Sequence, residues 1–494
     1  MGILDLPAEL LGRIIDFSVP DDFENLLLTC HALFACGSSS IPTHNARRKH
    51  FRHISFNSYH DEDSRLSFLR NIAAEPVAAH YVQSADLRGR IMVTPSLHEV
   101  PPGFRLRKGC VGASMDDVEK LVAASQFSHL LDTGAETWTC QAEDGFSAST
   151  FLLTLLTNVR QLTLPRGWPE VPDVNTQPWQ LLNAMMRQSH ERRMTSPLCQ
   201  LRSLRALAPV HYDSRVGLSS LSAFLAMHDL EELYATSCVA IDDYTGIPFT
   251  WIYPDLKSPL RKIEFVSCCM DSSQLSNLLA NTPNLQSFRY SHQEKWHTCG
   301  HDWNAGAFAA AIGRYCGHQL TDLALTVDGL SGEIVTGIVS LQEFTCLERA
   351  ELDVALFAGP SPESGEMAGL EACGPSKGFQ KWSPAMVPKL TEILPSSTKN
   401  FQLFDSSLND YSEVACSLLK DFSAGRDWLL SDLEEVVLRK RILDNPENPT
   451  GAKIRARVMD QARKVGVEYR SGLALQPIWR RAFGEKCGVV LDLN

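Results

Sequence analysis

Four side chains that can bind borderline metal ions lie within ten residues of one another: His292, His297, Cys299 and His301. Imidazole nitrogen and thiolate sulfur are ligands that zinc favours. Structural zinc sites usually combine a C-x-x-C pair with a second ligand pair, and this segment has neither spacing. It also follows a predicted strand, where a loop is expected. We therefore predict loop residues and no metal. The alternative is an enzyme whose site, with or without a metal, lies in residues 290–303.

The rest of the sequence carries no recognisable catalytic signature. Phosphate-binding G-x-x-x-x-G-K-[ST] and G-x-G-x-x-G loops are absent, as are H-E-x-x-H and G-x-S-x-G. None of the 14 cysteines forms a C-x-x-C pair, and the adjacent Cys268 and Cys269 cannot act as that redox motif. The sequence therefore predicts neither a cofactor nor enzymatic activity.

The composition is that of a folded intracellular protein, with 44% hydrophobic and 21% charged residues. A formal net charge of −12 argues against general nucleic-acid binding, which needs a positive surface. The sequence shows no signal peptide and no apolar run long enough to span a membrane. We therefore expect reduced thiols, no membrane partner, and a cytoplasmic or nuclear location.

Residues 4–34 have the pattern of two or three short amphipathic helices. Pro7 suits the first helical position, and Glu9 places negative charge near the positive end of that helix. Leu10, Ile14 and Phe17 then repeat at i, i+4 and i+7 and form an apolar face. A segment this short needs a partner surface, which is either the core of the protein or another molecule.

The order of residues in this stretch resembles the F-box, in the version common in fungal proteins. The resemblance covers about residues 3–55 and rests on two runs, L-P-x-E-L-x-x-x-I-I from Leu6 and F-x-x-L-x-L-T-C-H from Phe23, followed by the aromatic Phe34. The family often ends with a tryptophan, which is missing here, so that Phe51 or Ile54 would fill its place. The structural alternative is an ordinary helical hairpin packed on the main body.

The resemblance implies that this segment docks a Skp-family adaptor, which links it to a cullin-RING ubiquitin ligase. Carried over position by position, the docking residues are Leu6, Pro7, Leu10, Ile14, Ile15, Leu26 and Leu28. The basic run that follows, residues 47–53, is interpreted as a solvated helix end, and a nuclear-localisation signal is the alternative.

A second pattern, apolar at i, i+3 and i+5, recurs along the rest of the chain. Clear copies begin at Leu201, Leu230, Leu260, Leu285, Leu320, Leu347 and Leu433, weaker ones at Val82 and Val159, and another lies around Phe401. The triplet alone is common by chance, but its spacing and extension are typical of leucine-rich repeats. Cys238 and Cys268 occupy the ninth position of their copies, where a small inward group bonds to the turn backbone, and Asp328 takes the same position in another copy.

Helix-like segments alternate with these copies, so we expect α/β repeat units that bury their apolar faces by stacking. The predicted fold is α/β: a small all-helical F-box in residues 1–55, a connection in 56–80, and an irregular leucine-rich-repeat-like solenoid, or horseshoe, in 81–443. Residues 358–384 are rich in Gly, Pro and Ser and are expected to form a flexible insertion. Residues 444–494 are expected to form a C-terminal helical cap.

These features together predict the substrate-recognition subunit of an SCF-type ubiquitin ligase. Its partners would be a Skp-family adaptor, through it a cullin-RING ligase, and a protein target whose binding surface the sequence does not place. The alternative is a leucine-rich-repeat-like scaffold that binds a protein partner without any link to a ligase.

Overall fold

The structure is a computed structural model that describes residues 2–56, 65–89, 115–131, 146–191, 196–242, 246–295, 302–360, 382–406, 411–441, 449–472 and 475–491. The chain forms two compact units. Unit 1 contains Met1–Trp168, Asp173–Leu204 and Met227–Asp229, and unit 2 contains Pro169–Pro172, Arg205–Ala226 and Leu230–Asn494. The domain boundaries expected from the sequence stay predictions.

Unit 1 is mostly helical and holds a short parallel sheet in the order β1-β2-β3. Its α-helices are α1 (Ala8–Phe17), α2 (Phe23–Leu27), α3 (His31–Gly37), α4 (Ile41–Phe51), α5 (Arg65–Ala74), α6 (Val77–His80), α7 (Met115–Ala124), α8 (Phe146–Leu153) and α9 (Gln177–Glu191). Its strands are β1 (His53–Ser55), β2 (Ser84–Asp86) and β3 (Gln161–Thr163). A further strand, β4 (Ser203–Leu207), contains residues of both units.

Residues 3–51, which we call the head, comprise α1–α4 and have a core of their own. Pro7 directly precedes α1, and Val19-Pro20 lies in the break before α2, as the sequence predicts. The core consists of five buried apolar side chains: Leu11, Ile15, Phe23, Leu27 and Leu33. Gly37 lies close against this core, because a Cβ there would stand 2.3 Å from a methyl carbon of Leu27.

Unit 2 is built on a parallel sheet of strands in the order β6-β8-β9-β11-β13-β14-β15-β16. Its strands are β5 (Val216–Gly217), β6 (Glu232–Thr236), β7 (Cys238–Ala240), β8 (Lys262–Met270), β9 (Ser287–Gln293), β10 (Trp303–Asn304), β11 (Asp322–Gly329), β12 (Ile334–Thr336), β13 (Arg349–Asp353), β14 (Asn400–Asp405), β15 (Glu435–Arg441) and β16 (Glu468–Gly472). Its α-helices are α10 (Ser222–Leu225), α11 (Ser272–Leu279), α12 (Ala305–Cys316), α13 (Leu390–Ile393), α14 (Ser412–Leu418), α15 (Phe422–Leu429), α16 (Pro449–Lys464) and α17 (Ile478–Cys487).

The repeat pattern locates the strands correctly. Each copy with a defined start is followed, two residues later, by the first residue of a strand, from β2 after Val82 to β15 after Leu433. The copy around Phe401 falls in β14. The apolar triplet marks strands because its first leucine is buried just before the strand, and its other two members face the packed helices.

The two faces of the unit 2 sheet differ in chemistry. One face carries aromatic side chains such as Phe288 and Tyr290, whose ring centroids lie 6.5 and 4.7 Å from that of Phe308 in α12. The opposite face carries Tyr234 and Val266, which pack in one cluster with Trp479 and Phe483 of α17. We call this opposite side the α17 face.

The C-terminal segment extends the sheet as well as covering it. The expected helix near residues 452–465 is α16, and it is followed by β16, which pairs in parallel with β15. The final helix, α17, lies on the face of the sheet, a position that a simple end cap would not have. Most of the expected insertion 358–384 lies outside the described residues. None of the described helices is long and apolar enough to cross a membrane.

Candidate interaction surfaces

The head leaves large apolar side chains in solvent. Leu10 is 45% exposed, Leu28 is 79% exposed and Phe17 is 88% exposed, and Ile3, Leu4 and Phe34 are also exposed. Large apolar side chains this exposed are unusual in a segment that already has a buried core. This surface is therefore the first candidate for binding another molecule.

The seven residues expected to dock an adaptor divide between surface and core. Pro7, Leu10 and Leu28 are exposed, and Leu6, Ile14 and Leu26 are half-buried. Ile15 is only 1% exposed and belongs to the core of the head. Leu6 and Leu26 also pack against that core, so they support the surface as well as contributing to it. Phe51 and Ile54, considered for the missing tryptophan, are both buried.

Hydrogen bonds connect the head to the rest of unit 1. The ring of His44 stacks on Phe23 at 4.4 Å between centroids, and its Nδ1 lies 2.8 Å from the hydroxyl of Tyr81. Burial lowers the pKa of His44, and the positive charge of Arg48 lowers it further. Asn158 donates to Asp21 at 2.7 Å. The head is thus held in place by α4 and its loops, while the exposed side of α1 takes no part in this attachment.

The basic run 47–53 is partly neutralised by neighbouring groups. Arg48 pairs with Glu24, and Arg47 contacts Glu75. Arg52 donates to the side chain of Gln83 at 3.0 Å. These contacts fit a solvated helix end better than a signal that must be read as an extended chain.

The α17 face of unit 2 carries a connected row of charged side chains. The carboxylate of Glu264 lies 2.9 Å from Lys262 and 3.2 Å from Arg289. Arg289 reaches across to Asp322 at 2.8 Å, and Arg349 reaches the same carboxylate at 2.9 Å. Burial alone would raise the pKa of Asp322, but hydrogen bonds and charge from Arg289 and Arg349 hold it below its ordinary value. This row links four neighbouring strands through their side chains.

Helix α17 is fixed on this face by polar contacts at both ends. The carboxylate of Glu351 accepts hydrogen bonds from the backbone N–H groups of Ile478 and Trp479, at 2.7 and 3.2 Å. A carboxylate on the first N–H groups of a helix satisfies groups that have no partner within the helix and opposes its dipole. Near the other end, Lys486 pairs with Glu232 at 3.1 Å.

Asp328 joins α17 to the ends of several strands. Its carboxylate accepts hydrogen bonds from Ser267 and Ser291, each at 2.6 Å, and from Arg480 at 2.7 Å. The Arg480–Asp328 pair is buried on both sides. The residue that the repeat pattern places at its ninth position therefore bonds to side chains of neighbouring repeats.

Of the two cysteines at the equivalent position, Cys268 bonds to backbone as the sequence predicts, and Cys238 supplies the backbone group. The thiol sulfur of Cys268 lies 3.2 Å from the backbone N–H of Cys238 and accepts its hydrogen bond. Both side chains are fully buried, and burial raises the pKa of both thiols. They therefore stay protonated and unreactive at neutral pH.

A cleft of about 230 Å³ opens beside the first turns of α17. Its floor consists of side chains from β9, β11, β13 and β14, and Ile478, Trp479 and Ala482 form its wall. The sequence did not predict this cleft. The sequence does place polar residues such as Arg289, Asp322 and Gln402 at alternate positions of different strands. These residues come together only through the register of the sheet, which the sequence does not reveal.

Most of the predicted histidine and cysteine cluster is not described: His297, Cys299 and His301 lie outside the described residues. His292 is buried, stacks on Trp303 at 4.1 Å between ring centroids, and has Nδ1 2.9 Å from the hydroxyl of Tyr290. Within the described ranges, no group of three or more His, Cys, Asp or Glu side chains could hold a metal ion.

No protein-family model matches this chain, and no curated protein matches it. Its function is therefore inferred from its residues and from the two surfaces described above.

Proposed function

We propose that this protein is the substrate-recognition subunit of an SCF-type cullin-RING ubiquitin ligase. The head would dock a Skp-family adaptor, and unit 2, read as an irregular leucine-rich-repeat-like domain, would bind a protein target. The observation that carries the proposal is the exposed apolar surface of the head. Three of its members, Pro7, Leu10 and Leu28, occupy positions of the F-box pattern.

The energetics support a partner for this surface. Fully burying a leucine or phenylalanine side chain contributes about 1.5–3 kcal/mol, so covering Leu10, Phe17 and Leu28 supplies a substantial part of a binding free energy. The head does not need these side chains for its own fold, because Leu11, Ile15 and Phe23 already form its core. A partner can therefore bind these exposed side chains while the core of the head stays intact.

In this proposal the protein performs no bond chemistry. It holds the target near a ubiquitin-charged enzyme, and the gain comes from effective concentration. Such a role requires two binding surfaces on one chain, and it requires neither a cofactor nor a metal. The location that goes with it is the cytoplasm or the nucleus.

The proposal is tested by calorimetric binding of the full chain to a purified Skp-family adaptor. We expect tight binding by the unmodified chain and at least about 100-fold weaker binding by the double variant Leu10→Asp and Leu28→Asp, because two charges would enter an apolar interface. The matched control is Trp428→Asp on α15, where the side chain is 89% exposed but lies outside the head. This control should bind like the unmodified chain.

Failure of the unmodified chain to bind the adaptor would overturn the proposal, as would equal binding by the double variant. The remaining hypothesis would then be a leucine-rich-repeat-like scaffold with no link to a ligase. Circular dichroism of the double variant checks that the head is still folded, which we expect because both substituted positions are exposed.

A further inference from the structure

Three exposed arginines follow one edge of the sheet in unit 1. Arg52, Arg160 and Arg202 each directly precede a strand, namely β1, β3 and β4, and Gln83 has the same position before β2. The backbone N–H of Gln83 donates to the carbonyl of Arg52 at 3.0 Å. The N–H of Arg160 donates to Gln83 at 2.8 Å, and that of Arg202 to Arg160 at 2.9 Å. Since neighbouring strands lie about 4.8 Å apart, the backbone from Arg52 to Arg202 spans about 14 Å.

Helix α4 leads into this line of arginines and adds a further cation. Polar side chains lie on one side of its last turns, because they are spaced at i, i+3, i+4 and i+7: Asn45, Arg48, Lys49 and Arg52. Together with His53 they line an open cleft of about 360 Å³. Four exposed cations thus follow one another along this side of unit 1. We call them the basic edge: Lys49, Arg52, Arg160 and Arg202.

The described part of the chain does not neutralise the basic edge. The side chains of Lys49, Arg160 and Arg202 form no hydrogen bond or ion pair with a described residue. Arg52 donates from Nε to the neutral amide oxygen of Gln83 at 3.0 Å, which orients the guanidinium without cancelling its charge. The carboxylates that contact α4 bond to its two other arginines instead. The four positive charges are therefore available to a partner.

The charge and the length of the basic edge indicate the class of partner. A row of cations attracts a row of anions, and a guanidinium binds a carboxylate through two parallel N–H donors. An extended peptide rises about 3.3 Å per residue, so four or five residues cover about 14 Å.

A nucleic acid fits this surface less well than an acidic peptide does. Surfaces that bind single strands combine cations with aromatic side chains on which the bases stack. No exposed phenylalanine, tyrosine or tryptophan is adjacent in sequence to any of the four cations. The net charge of the whole chain, −12, also repels a long polyanion.

We propose that the basic edge binds an acidic segment of a protein partner: an extended run of about five residues rich in Asp and Glu. Its carboxylates would pair with Arg160 and Arg202 at one end. At the other end they would pair with Arg52 and Lys49, where the open cleft leaves room for a side chain. This surface contains none of the exposed apolar side chains of the head. The inference therefore goes beyond the proposed function and does not depend on it.

The first experiment measures peptide binding to the full chain by fluorescence anisotropy. The probe peptide carries a central run of about five Asp and Glu residues between Gly-Ser flanks and an uncharged dye. The matched peptide has Asn and Gln in place of Asp and Glu. We expect only the acidic peptide to bind, and its affinity to fall as NaCl is raised, because salt screens exposed charges. Equal binding of the two peptides, or no binding of either, would overturn the proposal.

The second experiment uses the double variant Arg160→Glu and Arg202→Glu. Exposed ion pairs contribute up to about fivefold each, and reversed charges add repulsion, so we expect the acidic peptide to bind at least about tenfold more weakly. The matched control, Lys420→Glu and Arg463→Glu, changes the net charge equally at exposed positions of unit 2 and should bind within about twofold of the unmodified chain. Circular dichroism checks the fold of both variants. Equal weakening by both would mean that overall charge attracts the peptide, which would contradict the inference.

Two other polyanions complete the test: a single-stranded oligonucleotide and phosphatidylserine vesicles. If either binds the unmodified chain more tightly than the acidic peptide, and loses that binding in the double variant Arg160→Glu and Arg202→Glu, the basic edge has another partner and the proposal is wrong.

The adaptor separates this inference from the proposed function. The head variant Leu10→Asp and Leu28→Asp should lose the adaptor and keep the acidic peptide, and the variant Arg160→Glu and Arg202→Glu should do the reverse. Adaptor binding by a chain that ignores the acidic peptide would leave the ligase proposal standing and reject the basic edge alone.

Discussion

The head and the α17 face both contain a buried apolar cluster, but they differ in the side chains that surround it. In the head, one row of α1 forms the core through Leu11 and Ile15, and another row leaves Leu10 and Phe17 in solvent. On the α17 face, charged groups that usually lie in solvent are covered by a helix of the same chain and paired with one another. The head therefore leaves apolar side chains in solvent, whereas unit 2 pairs the charged row of its α17 face within the chain.

The two regions differ in what a partner could add to them. Buried charges are tolerated when each has a partner in good geometry, and the row from Lys262 to Arg349 meets this condition. Exposed apolar side chains incur no such desolvation penalty, so they can stay in solvent until a partner binds. Binding energy in the head would thus come from new burial, whereas the charged row of the α17 face is already paired within the chain.

The largest expected difference between the two regions concerns the removal of one phenylalanine from each. Phe483 is fully buried in the cluster between α17 and the sheet, with its ring 6.0 Å from that of Tyr234. We expect Phe483→Ala to lower the free energy of unfolding by about 3–5 kcal/mol. Phe17→Ala, at an exposed position, should change it by no more than about 0.5 kcal/mol. Urea denaturation of the two variants measures both effects.

Equal effects of the two substitutions would mean that α17 is not part of the stable core. A large loss for Phe17→Ala would instead mean that the exposed row of α1 supports the fold of the head, and the interpretation of that row as a docking surface would be wrong.

The pH dependence of stability should also differ between the two regions. Asp353, at the end of β13, is fully buried, and burial raises its pKa to about 8. Between the unfolded value near 4 and about 8, the folded state holds a proton that the unfolded state has lost, so stability falls as pH rises through this range. Above pH 8 both states are ionised and this contribution is constant.

Asp353→Asn removes this titration and keeps an acceptor for the N–H of Ala355, which donates to a carboxyl oxygen of Asp353 at 3.0 Å. We expect the variant to gain stability relative to the unmodified chain from pH 4 to 8, by about 2–4 kcal/mol, and the difference to stay constant above pH 8. Denaturant unfolding at several pH values measures it. A difference that does not change with pH would show that Asp353 is ionised throughout.

Much of the unit 2 sheet could be predicted from the sequence, because β6, β8, β9, β11, β13 and β15 each begin two residues after a buried leucine such as Leu260 or Leu320, whereas β14 and β16 do not. The position of α17 could not. Its apolar residues Trp479 and Phe483 indicate a buried helix face, but they do not distinguish the end of a sheet from its broad side. Only the charges on distant strands that meet Arg480 and Lys486 decide this, and their pairing is not visible in the sequence.

For the head, as for unit 2, the sequence predicts the elements but not how they pack. The sequence identifies a wide apolar face on α1 containing Leu10, Leu11, Ile14 and Ile15, and it does not tell which row points inward. The position of α1 against α2 and α3 decides that Leu11 and Ile15 are buried. Because tertiary packing decides which row is buried, the set of residues expected to dock an adaptor includes one core residue, Ile15.

An effect smaller than those of Phe483→Ala and Asp353→Asn is expected at His44, where the head is attached to the rest of unit 1. Burial lowers its pKa, so the unfolded state takes up a proton before the folded state does, and stability is lost as pH falls below about 6.5. His44→Gln should cost about 1 kcal/mol at pH 8, because the ring contact with Phe23 is lost. The cost should shrink toward pH 5, since the variant has no imidazole to protonate. Unfolding followed at both pH values, with the exposed His53→Gln as the control, measures this change. A cost that grows on acidification would mean that the folded head stabilises the protonated imidazole, and the acid-sensitive attachment inferred for the head would then be wrong.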